Sequence, residues 1–144
     1  MKASRFIWAG ALAAFTIQNA TADGLRAGLW KIVTRPEING VAGPDQESTR
    51  CLTEDEVNNL EATFSPNSRT TYSSCETTGQ EATPQHLTWH LQCAGQIDMD
   101  VAGEFIFETR QHFTATISTH ASMMGRQFQD SRALIEGRHV GTCP

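Results

Sequence analysis

Apolar and polar residues alternate along much of the chain, which is the pattern of β-strands with one buried face. In residues 87–93 every odd position is apolar and every even position is polar. A period of two also runs through residues 98–108 and, after a turn, through residues 113–117. Two less regular segments, Leu29–Arg35 and Phe128–Ile135, predict the first and the last strand. The pattern therefore predicts an all-β chain.

A hairpin that turns at Arg110 gives each of its two faces a uniform chemistry. One face pairs apolar residues, Phe107 with Phe113 and Phe105 with Ala115. The other face pairs acids with histidines, Glu108 with His112 and Asp100 with His120. Because a slip of one residue would exchange the two faces, this consistency supports the register.

One segment departs from the alternation. Thr53 is followed three positions later by Glu56 and then by apolar residues, which is a capping-box signature and predicts a short helix over residues 53–61. Residues 36–48 and 65–71 are rich in turn-forming residues and predict loops. Six to eight antiparallel strands that must bury one apolar face curl, so we expect a meander closed into a barrel or folded into a two-layer sandwich.

The first 22 residues read as a targeting segment. Lys2 and Arg5 precede an apolar stretch, Phe6–Ile17, and the small residues of 20–22 follow it. This order is that of a secretory signal peptide, and the apolar stretch is shorter than the ~20 residues that a membrane-spanning helix needs. We therefore expect residues 1–22 to be removed and residues 23–144 to form one domain with no membrane span.

Composition narrows the function classes. The chain has 144 residues, 39% of them hydrophobic, with 11 basic and 16 acidic side chains and a formal charge of −5. The length suits one domain, and the hydrophobic content excludes a wholly disordered chain. The acidic balance argues against a phosphate-binding surface and hence against nucleic acid as a partner.

Four cysteines in an exported domain predict two disulfides. In a hairpin centred near Pro84, Cys75 and Cys93 face each other, and cross-strand neighbours lie close enough for a disulfide. That pairing leaves Cys51 for Cys143. The pairs Cys51–Cys75 and Cys93–Cys143 remain an alternative. The spacing of the cysteines does not match a zinc site.

The order of several short motifs resembles the DUF3617 family of exported bacterial proteins. The motifs are Gly28-Leu29-Trp30-Lys31-Ile32-Val33-Thr34, Cys51-Leu52-Thr53-Glu54-Asp55, Cys75 followed by Trp89, Cys93 and Gly95, and the final stretch from Gly137 to Pro144. The resemblance implies an envelope location and an all-β fold with disulfides, but no reaction. The chain lacks the methionines that the family often carries before its first cysteine, which weakens any metal or oxidation role based on them.

Two positions are candidates for contact with a ligand or partner. Gly28 and Trp30 form a Gly-x-Trp motif, which also occurs where a tryptophan closes one end of a lipocalin-like barrel, although the motif is short and ordinary core packing is the favoured explanation for Trp30. Met123 and Met124 precede Gly125 at an apparent turn and form the most exposed apolar pair that the pattern indicates.

The sequence offers no convergent catalytic or metal-binding set. On a strand, His86 and His90 lie about 13 Å apart, too far to hold one ion together. His112 and His120 each face an acid and are best explained as solvated pairs, as are the acids of the strand from Asp98 to Glu108. No Gly-x-Ser-x-Gly motif occurs, and disulfides leave no thiolate.

These observations favour a periplasmic or secreted, non-enzymatic binding module without a cofactor. Its partner would be a small apolar ligand or an envelope protein. One alternative is an inhibitor of an exported enzyme that acts through the 36–48 loop. A metal-dependent hydrolase is the other, and it would need at least three of the histidines and nearby acids, among them His139, to converge.

Overall fold

A computed structural model describes residues 24–66 and 73–144. Most of these residues lie in strands, and the strands are separated once by a helical segment. In chain order the elements are β1 (Gly28–Ile38), β2 (Val41–Ala42), β3 (Gln46–Leu52), α1 (Glu54–Asn58), α2 (Leu60–Phe64), β4 (Ser73–Ala82), β5 (His86–Gly95), β6 (Asp98–Thr109), β7 (His112–Met123) and β8 (Arg126–Gly141). The predicted signal peptide lies outside the described residues, and so do residues 67–71 of the predicted 65–71 loop.

The strands form one antiparallel sheet in the order β2-β1-β8-β7-β6-β5-β4, and β3 pairs with β1 beside β2. The predicted all-β antiparallel fold is confirmed. The sheet does not close on itself, because β4 lies at one edge and β2 and β3 at the other. The predicted barrel is therefore wrong. The apolar face of the sheet is covered by the helical segment and not by a second sheet.

The segment 36–48 is mostly strand, so the predicted loop is wrong. β1 continues to Ile38, turns through Asn39 and Gly40, and pairs back through β2 before β3 begins. The two turn residues have φ values of 50° and 78°, as in the tight hairpin turns that favour Asn-Gly. Every residue from 37 to 50 is exposed. Alternation of apolar and polar residues indicates a strand with one buried face, and these paired strands have no buried face.

The predicted helix is confirmed, although it consists of two short helices. The hydroxyl of Thr53 accepts a hydrogen bond from the backbone N–H of Glu56, whose carboxylate accepts one from the backbone N–H of Thr53 at 2.8 Å. That N–H and the Arg50 guanidinium lower the pKa of Glu56 below 4.5. Asn59 ends α1 and caps α2, with its side chain accepting from the N–H of Ala62.

The core lies between one face of the sheet and the helical segment. Phe64 of α2 packs with ring centroids 5.1 Å from Phe105, 5.8 Å from Phe107 and 5.3 Å from Phe113. The indole of Trp89 donates to the Phe64 carbonyl oxygen at 3.1 Å, which fixes the end of α2 against the sheet. Two short helices can therefore replace the second layer that a sandwich would need.

Two glycines make room for large rings in this core. A side chain at Gly103 would place its Cβ 2.2 Å from the Trp89 ring, and one at Gly137 would place its Cβ 2.1 Å from the Phe113 ring. Each glycine lies directly opposite its aromatic residue on the neighbouring strand. The rings lie flat across the sheet, so the core is filled close to the backbone.

Both predicted disulfides are confirmed, Cys51–Cys143 and Cys75–Cys93. The second depends on a bulge in β4. Near the turn Ala82 faces Leu87, and that register would carry Cys75 opposite the residue after Cys93. The extra residue Thr78 shifts the register by one and brings the cysteines opposite each other.

The β6–β7 hairpin keeps its predicted apolar register. Phe107 faces Phe113, and Asp100 faces His120 as expected. A bulge at the turn makes Thr109, rather than Glu108, the partner of His112. Glu108 nevertheless reaches His112, with 2.5 Å between its Oε2 and the imidazole Nδ1.

Candidate functional site

The two ends of the sheet differ in whether their large apolar side chains are buried or exposed. We call the end beneath α1, α2 and residues 24–27 the covered end, and the end formed by the turns after β1, β5 and β7 the bare end. Among the described residues, the core cluster has no member between positions 118 and 134. Five of the large apolar side chains that are exposed in the described residues lie at the bare end: Ile38, Val41, Met123, Met124 and Phe128.

A cleft of about 690 Å³ lies at the bare end between two neighbouring turns. We call it the methionine cleft, and its lining residues are Gly95, Gln96, Ile97, Asp98, Met123 and Met124. The two turns meet because Asp98 at the start of β6 pairs with Ser122 near the end of β7. The predicted contact residues thus lie together, and Ile97, which the sequence reading missed, joins them. The hairpin register was the signal that could have placed it there.

Met124 is held outward by the backbone of its turn. Its φ is 51° and that of Gly125 is 73°, so the β7–β8 turn has the same left-handed geometry as Asn39-Gly40. Asparagine adopts this conformation readily, whereas other side chains incur a cost of roughly 1–2 kcal/mol. The Met124 side chain is 96% exposed, and that of Met123 is 45% exposed. An unbranched apolar side chain is therefore presented to solvent at a backbone position that does not favour it.

An acidic groove of about 450 Å³ adjoins the methionine cleft. Its carboxylates are Glu76, Asp98 and Asp100, and we call these three residues the acidic strip. Asp98 lines both the groove and the cleft, so the two surfaces are continuous. Within the described ranges 24–66 and 73–144, none of the three carboxylates takes part in an ion pair. The bare end thus combines an apolar cleft with a negatively charged border.

Trp30 lies in the core of the covered end. Its side chain has no exposed surface, its ring packs 5.5 Å from Phe113 and 5.7 Å from His139, and its indole donates to the Arg26 carbonyl oxygen at 3.0 Å. In this conformation Trp30 contacts protein on all sides, and the methionines are the candidate contact residues that solvent reaches.

Most of the histidines form local contacts within their own part of the structure. His86 contacts Glu104 at 2.9 Å, His120 contacts Asp130 at 3.1 Å, and the His139 Nε2 atom lies 3.2 Å from the Ala27 carbonyl oxygen. In the part of the chain that the structure describes, no three His, Cys, Asp or Glu side chains are arranged to hold a metal ion.

Glu136 is the most connected acid of the covered end. Its Oε1 atom accepts from the His112 Nε2 atom at 3.0 Å and from the Arg138 guanidinium, and Arg35 approaches its other oxygen at 3.8 Å. The hydrogen bond from His112, followed by that from Arg138, lowers the pKa of Glu136 below 4.5. The His112 ring lies between Glu136 and Glu108, so these carboxylates approach different ring nitrogens.

A second open groove, also of about 690 Å³, crosses the face of the sheet away from the core. Its floor is made of small residues, Ala102, Thr116 and Ser118, and Thr88, His90 and Glu104 also line it. Its lining mixes these polar side chains with a larger apolar surface. The methionine cleft differs in that exposed apolar side chains, Met123 and Met124, form its wall.

Comparison with known proteins identifies a family and no closer relative. No curated protein matches the chain, and no solved structure matches it. No helix in the described ranges is long and apolar enough to cross a membrane, and two disulfides are compatible with a protein outside the cytosol. A family model described as a protein of unknown function, DUF3617, matches residues 25–143. That match spans most of the sequence and all four cysteines, and the chain therefore belongs to the DUF3617 family.

Proposed function

We propose that the chain is an exported, non-enzymatic binding module that recognises a protein partner through the methionine cleft. The observation that carries this proposal is the position of Met124, almost fully exposed beside Met123 at the bare end. Methionine is flexible and polarisable, and it is common at surfaces that adapt to the shape of a partner. Exposed apolar side chains that gather in one cleft are typical of interaction sites.

A protein partner is favoured over a small apolar ligand by the packing of the core. An apolar ligand would need an enclosed space, and the aromatic rings of the covered end fill the space beneath the helices. The methionine cleft is open to solvent on the outside of the molecule. Such a surface suits contact with another protein better than burial of a small molecule.

Export is part of the same proposal. The charged start, apolar stretch and small residues of 1–22 support it, and so do two disulfides, which persist in oxidising compartments. We expect the protein recovered from the cell envelope to begin at Asp23 and to have an intact mass that includes both disulfides. A mass that retained residues 1–22, or free thiols in the native protein, would contradict export by this route.

Photochemical crosslinking in the native cell tests the binding surface. A photoreactive residue replaces Met124 in one variant and Val140, which is 54% exposed at the covered end, in the matched control. We expect a crosslinked protein of one defined mass from position 124 and not from position 140. Adding Met123→Gln should reduce that product at least tenfold, because it makes the wall of the cleft polar.

Two results would overturn the proposal. One is an equal yield of the same product from positions 124 and 140, which would indicate chance encounter. The other is no product from position 124 at any expression level at which the protein is folded and both disulfides are formed.

A further inference from the structure

We infer that the partner segment is basic and amphipathic, with apolar side chains that enter the methionine cleft and Lys or Arg side chains that face the acidic strip. This inference rests on the proposed function, since it names the chemistry of the partner for the same surface. It is carried by the continuity of the two surfaces through Asp98, which lines both of them.

The apolar part of the surface sets the first requirement. Met123 and Met124 lie on one wall of the cleft and Ile97 on the facing turn, so a partner can insert apolar side chains between the two turns. Flexible methionines bind amphipathic segments of varied shape because their thioethers repack around different side chains. A cleft of this size can accommodate the apolar side chains of a single extended or helical segment.

The charges beside the cleft set the second requirement. Glu76 of β4 and Asp98 and Asp100 of β6 lie on the face of the sheet away from the core, on the two strands that flank β5. Lys31, Arg35, Arg50 and Arg138 each lie in an ion pair with an acid outside the strip. An acidic border favours a basic partner during encounter and disfavours an acidic one. The net charge of −5 has the same sign as this border.

Three short peptides serve as probes for these two requirements. The first has leucine and lysine at helical spacing, the second replaces its lysines by glutamate, and the third replaces its leucines by serine. Binding of each labelled peptide to the mature protein is measured by fluorescence anisotropy. We expect the leucine–lysine peptide to bind at least tenfold more tightly than either of the others, and its affinity to fall as salt is added.

Matched variants of the protein assign that binding to the strip. The triple variant Glu76→Gln, Asp98→Asn and Asp100→Asn removes the three charges and retains the side-chain oxygen of residue 98 that accepts from the Gly95 N–H. Its control neutralises three exposed acids outside the strip, Glu54→Gln, Glu61→Gln and Glu81→Gln. We expect the first variant to lose at least tenfold in affinity for the leucine–lysine peptide and the control to lose less than threefold.

Each other outcome overturns the inference. Equal binding of the glutamate peptide, or equal losses in both triple variants, would exclude recognition by the acidic strip. Equal binding of the serine peptide, or no binding of any peptide, would exclude a basic amphipathic partner. These failures are distinguishable from failure of the proposed function, because crosslinking from position 124 detects a partner of any charge.

Discussion

The covered end and the bare end share the same long strands but use their apolar residues differently. At the covered end Phe64 packs against the three phenylalanines of β6 and β7, and the Trp89 and Phe113 rings lie across glycines. At the bare end comparable side chains remain in solvent, and one of them occupies a left-handed turn position. One end therefore uses apolar side chains for stability, whereas the other presents them at a surface. Four sets of variants test this difference.

The two disulfides divide between the ends and should contribute unequally. Cys51–Cys143 closes 92 residues at the covered end, and Cys75–Cys93 closes 18 residues toward the bare end. Chain entropy predicts losses of about 4.5 kcal/mol for Cys51→Ser with Cys143→Ser and about 3 kcal/mol for Cys75→Ser with Cys93→Ser. Urea unfolding measures both, and a larger loss for the second pair would contradict a fold held mainly at its covered end.

Replacing phenylalanine by alanine compares the two ends with the same chemical change. Phe113 is 1% exposed and Phe128 is 48% exposed. We expect Phe113→Ala to lower the free energy of unfolding by about 3–5 kcal/mol, because it leaves a cavity among aromatic rings. Phe128→Ala should lower it by less than about 1 kcal/mol. Similar losses in urea unfolding would show that the bare end is packed after all.

Exchanging the first residues of the two left-handed turns tests whether Met124 is retained against stability. Met124→Asn should raise the free energy of unfolding by about 1 kcal/mol, because asparagine tolerates the conformation. Asn39→Met should lower it by at least as much, since the Asn39 Oδ1 atom also accepts from the Asp130 N–H at 2.8 Å. Thermal unfolding measures both changes. A destabilising Met124→Asn would mean that the methionine serves the fold.

Acid should weaken the covered end through Glu136. Its pKa is held below 4.5 in the folded protein by hydrogen bonds from His112 and Arg138, so its contribution to stability is complete above pH 4.5. That contribution is lost as pH falls through the lowered pKa. We expect Glu136→Gln to be less stable than the unaltered protein at pH 6 and to differ less from it at pH 3. A constant difference in urea midpoint across this range would contradict the assignment.

The alternation and the cysteines were sufficient to predict the fold class and the apolar register of the β6–β7 hairpin. Phe107 faces Phe113 as the register required, and the capping box at Thr53 begins a helix. The predicted pairing of Cys75 with Cys93 is correct, but the sequence did not show why. The β4–β5 turn shifts the register by one residue from the predicted one, and the bulge at Thr78 shifts it back. Local symmetry predicted the pair, but not the geometry that produces it.

The pattern could not predict features that depend on which side chains remain uncovered. The 36–48 hairpin has no buried face and therefore no alternation, and its Pro and Gly residues suggested a loop. Nothing in the spacing of Phe64 indicated that it would pack over three phenylalanines. The methionine pair was found from its turn, but Ile97 and the acidic strip required the arrangement of neighbouring turns and strands.

Methyl NMR during titration with the leucine–lysine peptide tests the methionine cleft as a binding surface most directly. The Met123 and Met124 methyl groups report on the bare end, and the Val140 and Leu134 methyl groups, which are also exposed, report on other surfaces. We predict saturable shifts at Met123 and Met124 and none at Val140 or Leu134. Shifts confined to Val140 or Leu134, or none at the two methionines at saturating peptide, would contradict a binding surface at the bare end.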